Sequence, residues 1–120
     1  MAAVLGLASC AQEPVQKEIG LQLYSIRNEI GQGLETALDA VAAAGYTFVE
    51  MAGYNAQDGT FYGLAGDAFT TLCNSKGLDV ISSHINGPDP NAATWEECMA
   101  WWDKAIQDHL AAGVLYIVQP

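Results

Sequence analysis

From residue 19 onward the chain alternates short apolar runs with amphipathic helical stretches. Ile19-Gly20-Leu21-Gln22-Leu23-Tyr24-Ser25 alternates with period two, placing Leu21 and Leu23 on one face of a strand and Gln22 and Tyr24 on the other. A loop around Gly31 and Gly33 follows. Leu34, Ala37, Leu38, Val41 and Ala42 then recur at helical spacing, and Gly45 supplies a C-cap. A second strand run covers residues 46–52 and stops at Gly53, and residues 54–63 read as a long loop. The next helix carries Ala65, Ala68, Phe69, Leu72 and Cys73 on one stripe and closes at Gly77. Residues 78–85 form the third strand run, which Asn86-Gly87-Pro88-Asp89-Pro90 cannot continue. Thr94-Trp95-Glu96-Glu97 is a capping box, and the helix it opens has Trp95, Cys98, Met99, Trp102, Ala105, Ile106 and His109 on one side. Gly113 ends that helix, and residues 114–118 begin a fourth strand.

Strands separated each time by one helix give a parallel sheet with right-handed crossovers, so the fold class is α/β. Three βα units plus a fourth strand fit half of a closed (β/α)8 barrel or a small open doubly wound sheet. Periodicity does not choose between them. No G-x-G-x-x-G follows the first strand, so a dinucleotide-binding sheet would lack its phosphate loop.

Composition shifts the balance towards a larger body. Of 120 residues, 51% are hydrophobic and only 15% charged, where about a quarter is usual for a soluble domain. The net charge of −10 repels phosphate backbones and disfavours nucleic acid, so no nucleic-acid partner is expected.

The first 18 residues read separately, as a truncated lipoprotein signal-like segment and tether. Residues 1–9 are small and apolar, Leu7-Ala8-Ser9-Cys10 is similar to a bacterial lipobox with Cys10 as the lipidated residue, and residues 11–17 are polar around Pro14. No Lys or Arg precedes the apolar run, although a signal peptide needs a positive n-region, so the start is trimmed or Met1 is internal. On this reading the protein sits in the bacterial cell envelope or periplasm and meets the membrane only through Cys10; the alternative is cytoplasmic. Cys73 and Cys98 lie on apolar stripes and read as buried free thiols.

Several stretches together resemble one family. Ile19-Gly20-Leu21-Gln22-Leu23-Tyr24-Ser25-Ile26-Arg27, Ala44-Gly45-Tyr46 with Phe48-Val49-Glu50, Phe61-Tyr62-Gly63-Leu64, Gly77-Leu78 with Ser82-Ser83-His84, and Tyr116-Ile117-Val118-Gln119-Pro120 are similar, in order and spacing, to sugar phosphate isomerase/epimerases, the xylose isomerase-like TIM barrels. The resemblance implies that residues 19–120 are the N-terminal half of such a barrel, with chemistry at the strand C-termini. It also implies a divalent metal in the full-length parent, with ligands mostly beyond Pro120. No metal ligand is assigned among the present residues.

In a barrel, outward side chains pack beneath helices and inward ones near the top are polar. Glu50 shares its face with Phe48 and Ala52, and Ser82 shares one with His84, while Ile81, Ser83 and Ile85 take the other. Glu50 and His84 are therefore the candidate catalytic pair, able to move protons beside a sugar carbonyl. The bland alternative is a hydrogen-bonded barrel-top pair. Gln22, Tyr24, Arg27 and Ser82 are candidate substrate contacts. Trp95 and Trp102 fall on the buried helical stripe, which favours core packing over carbohydrate stacking, and His109 reads as structural.

Two classes of function follow. The first is an isomerase or epimerase acting on a small-molecule sugar by metal-assisted proton transfer, or a lyase on oxidised sugars. A DNA-directed endonuclease relative is disfavoured by the negative charge and the signal-like start. The second is a non-catalytic half-barrel, a binding or assembly module that self-associates through open sheet edges.

Overall fold

The structure, a computed structural model, describes residues 17–120; the lipidation expectation at Cys10 lies outside them, as do all but the last residues of the tether. The main sheet is made of β1 (Gly20–Gln22), β2 (Phe48–Met51), β5 (Asp79–His84) and β6 (Tyr116–Val118), side by side in that order and all parallel. A doubly wound sheet reverses its strand order at a switch point, whereas this order runs monotonically, as in a barrel wall. The fold is accordingly α/β, a partial TIM-barrel-like wall of three βα units and a fourth strand.

The helices pack on one face. Leu38 and Val41 of α2 (Leu34–Ala43) and Phe69 and Cys73 of α3 (Gly66–Ser75) form one buried cluster with Val49 and Met51 of β2 and Val80 of β5. Alternation along β2 therefore sends Phe48 and Glu50 to the opposite face. Gly20 is required opposite Phe48, because the Phe48 ring occupies the space a Cβ on residue 20 would fill. Burial pushes the Cys73 thiol up to about 12, with Lys76 opposing. That thiol is inert.

β5 does not alternate strictly. Val49 pairs with Val80, but Glu50 pairs with Ser82, so the register shifts by one residue at Ile81. Val80 lies in the helix-side core, and strict alternation from it would return Ser82 and His84 to that side. The shift reverses the phase, as bulges do where a side chain must be re-aimed. From there Ser82 and His84 face with Glu50, and Ser83 pairs with Met51 towards the helices.

Four local expectations are corrected. The first strand stops at Gln22; residues 23–26 form a 3-10 turn and α1 (Arg27–Gln32) fills the expected loop. Leu23 is drawn into the core there, and Ile26, Ile30 and Leu34 pack against it at i, i+4, i+8. Residues 54–63 are not all loop but hold a hairpin of β3 (Tyr54–Asn55) and β4 (Thr60–Phe61), whose turn is fixed by Asp58 accepting from the Thr60 amide and hydroxyl. On α3 the buried stripe narrows to Phe69 and Cys73, with Ala65 and Ala68 exposed. On α4 (Trp95–Ala111) only Ala105 and His109 are buried; Trp95 is 74% exposed, Met99 and Ile106 are exposed, and Cys98 is half-buried. The first half of α4 faces the loop after β5, where Trp102 is half-buried against Gly87, and leaves Trp95 and Met99 exposed. The Thr94–Glu97 capping box forms as expected.

His109 is structural, as expected. It is buried, its Nδ1 bonds the Ala105 carbonyl at 2.6 Å and its Nε2 bonds Ser83 Oγ at 2.9 Å. Burial lowers its affinity for a proton below the usual histidine range, against the opposing pull of the Ala105 carbonyl and Asp108. The unfolded chain takes up that proton near pH 6.5 and the folded chain resists it. The stabilisation by the neutral ring is thus full above about pH 6.5 and is lost as pH falls towards the depressed folded value. Urea unfolding between pH 7 and 5 should show stability falling with acid, and His109→Gln should flatten that slope.

Candidate functional site

The polar face of the sheet gathers its chemistry at the strand C-termini. Gln22 is the last residue of β1, Glu50 the third of four in β2, and Ser82 and His84 the fourth and sixth of six in β5. Gln22 Nε2 donates to Glu50 Oε1 at 2.6 Å, and Ser82 Oγ donates to Glu50 Oε2 at 2.7 Å. The same Gln22 nitrogen lies 3.2 Å from His84 Nδ1. His84 Nδ1 and Glu50 Oε1 are 3.9 Å apart, too far for a direct hydrogen bond.

This geometry assigns the tautomer. An amide NH2 shared between a carboxylate and an imidazole nitrogen must donate to both, so Nδ1 is the acceptor and the neutral ring carries its proton on Nε2. The Glu50 and His84 side chains are 23% and 31% exposed, enough to meet a ligand while partly shielded from water.

Above them lies a pocket of about 360 Å³ lined by Gln22, Tyr24, Ala52, His84 and Asn86. Ala52 and Asn86 were not singled out by sequence; Ala52 directly follows β2 and Asn86 lies two residues past β5, and strand ends in a parallel sheet are where such positions fall. Tyr62 shapes the same rim. Its hydroxyl accepts from the Ala52 amide at 2.9 Å and its ring covers Gly53, where a Cβ would meet it. Tyr62 holds a left-handed backbone at φ 53 to do so.

Four of the six residues expected at the site thus converge: Gln22, Glu50, Ser82 and His84. Tyr24 lines the pocket from the 3-10 turn rather than from the inner strand face, and is 58% exposed. Arg27 points elsewhere. Its guanidinium donates to the Tyr24 carbonyl at 3.1 Å and sits 4.6 Å from the centre of the Tyr24 ring.

The donor set does not by itself fit a metal ion. Glu50 and His84 are a single pair whose facing atoms are already hydrogen-bonded, and no cluster of three His, Cys, Asp or Glu side chains suited to an ion occurs among the described residues.

A parallel wall with polar groups converging at its strand C-termini defines the class: a TIM-barrel-type α/β protein, seen in part. The chain is similar to two crystal structures of sugar phosphate isomerase/epimerases from Parabacteroides distasonis ATCC 8503. One is 32% identical over 94% of this chain with a TM-score of 0.74, and the other 30% identical over 88% with a TM-score of 0.74. The chain spans only 41% and 42% of their respective lengths. No protein-family model matches the chain, and no curated protein does. The resemblance read from the strand motifs therefore stands, over part of such a barrel.

Replacing Gln22 by Leu removes the donor from Glu50 Oε1 and the partner from His84 Nδ1. The expected cost is about 1–3 kcal/mol of stability, read from the urea midpoint.

Proposed function

We propose that this chain supplies part of the site of a sugar isomerase or epimerase, in which Glu50 and His84 divide the proton transfer. Glu50 takes the proton from the carbon beside a sugar carbonyl, the bonding pair moves into a carbon–carbon double bond, and the carbonyl oxygen becomes an enediolate oxygen. His84 donates through Nε2–H to that oxygen as its charge develops. Return of the proton from Glu50 to the former carbonyl carbon, as the adjacent hydroxyl passes its proton to the enediolate oxygen and becomes the new carbonyl, gives the isomer. Protonation of the original carbon on its opposite face by a second acid, with Glu50 keeping the proton it took, gives the epimer. The observation that supports this most is the single Gln22 amide holding both groups in place.

The divalent metal implied by the resemblance takes its ligands from other residues than these, and no step here passes through it. None of the residues lining the pocket is cationic, which favours unphosphorylated sugars. Anchoring in the envelope through Cys10 accords with such substrates. In the protein carrying the whole barrel, Glu50→Gln and His84→Ala should each lower kcat by about 10²–10⁴-fold, assayed on neutral and phosphorylated sugars with and without divalent metal. Equal rates for His84→Ala and the parent would remove His84 from the mechanism.

A second reading is favoured by one observation. Trp95, Met99, Ile106 and Leu110 of α4, Leu115 just before β6 and Tyr116 at its start are exposed apolar groups, a surface suited to assembly. On that reading the chain is a non-catalytic module that pairs with a second copy. Sedimentation should then show a concentration-dependent dimer, whereas a monomer at all concentrations would remove this reading.

A further inference from the structure

Ser83 and His109 lie on the helix side of the sheet, outside the pocket, yet Ser83 is flanked in sequence by Ser82 and His84. We propose that Ser83 and His109 are positioning residues: their hydrogen bond lets β5 keep its shifted phase without leaving the His109 ring nitrogen unpaired, and that phase aims Ser82 and His84 at Glu50. The inference rests on reading Glu50 and His84 as the proton-transfer pair.

The His109 ring cannot follow the strand. Its Nδ1 is tied to the Ala105 carbonyl one helical turn back at 2.6 Å, and it makes edge-to-face contacts with the Tyr54 and Phe61 rings at centroid distances of 4.7 and 4.9 Å. With Nδ1 donating to that carbonyl, Nε2 is a fixed acceptor that demands a hydroxyl from the strand beneath. Ser83, fully buried, supplies it at 2.9 Å.

The neighbouring serine makes this demand consequential. Without the shift, Ile81 would stand opposite Glu50, Ser82 would take the place of Ser83 beneath His109, and His84 would turn to the helix side. His109 would be satisfied in either phase by one serine or the other. In the unshifted phase, however, Glu50 Oε2 loses its donor and the imidazole leaves Gln22. Occupation of His109 by the Ser83 hydroxyl, rather than that of Ser82, is therefore coupled to assembly of the site.

The test reads the ring nitrogens of His84 by long-range 1H–15N NMR on the full chain. The parent should show the widely separated nitrogen shifts of one tautomer, protonated at Nε2. In Ser83→Ala that separation should collapse towards the averaged values of a free imidazole, and Ser83→Thr, which keeps the hydroxyl, should restore it. If Ser83→Ala does not fold, Ser82→Ala is read instead and should keep the separation, because only the shifted phase then gives His109 a hydroxyl. An undiminished separation in a folded Ser83→Ala, or collapse in Ser82→Ala, would overturn the proposal, as would collapse in the Thr variant as well as the Ala variant. A parent lacking a single tautomer would remove the proton-transfer reading itself, and that failure is visible before any substitution is made.

Discussion

One carboxylate organises the polar face of this sheet. Glu50 stands mid-sheet between strands, partly shielded from water, and an ionised carboxylate there requires donors on both oxygens. β1 supplies one through Gln22 and β5 supplies the other through Ser82. Three strands are thereby linked across their C-terminal ends by side chains as well as by the ladder. The bonds are short and charge-assisted, the stronger kind of side-chain hydrogen bond.

That requirement conflicts with the core. Val80 must lie under the helices with Val49, while Ser82, two residues on, must lie on the other face with Glu50. A period of two cannot deliver both. The extra residue at Ile81 resolves the conflict, and the phase reversal leaves Ser83 buried on the apolar side, where only a polar helix residue can satisfy it. His109 is that residue. The helix-side network and the mouth are consequences of the same local irregularity.

Much of the wall was legible from residue patterns because Leu38, Val41, Val49, Phe69 and Cys73 are apolar at positions that both helix and strand periods require. Gln22, Glu50, Ser82 and His84 were legible as a group, since polar residues near strand ends of a βα repeat have few other places to go. Other features obeyed a different logic. α1 was hidden because it is short and carries one bulky apolar residue, Ile30, next to Gly31 and with Gly33 at its end. The hairpin across residues 54–61 depends on Asp58 and Asn55 bonding their own backbone, a turn chemistry that apolar periodicity does not reveal. The stripe of α4 was misread at Trp95 because periodicity reports which residues share a side and not what covers that side. The register shift left no composition signal, although Val80 and Ser82 on one parity already posed the contradiction.

The way Gln22 joins Glu50 and His84 also bears on their chemistry. Had the imidazole and carboxylate met directly, a proton could exchange between them through their hydrogen bond. At 3.9 Å, with an amide nitrogen donating to both, they are held in register without that exchange. A primary amide orients but does not relay a proton, so the carboxylate remains free to accept one while the imidazole keeps its own on Nε2. Isomerisation beside a carbonyl needs such a division, a base at carbon and a donor at oxygen acting on one substrate at the same moment. On the proposed reading, Gln22 is thus the residue whose chemistry, more than its size, would let two neighbouring groups carry opposite roles.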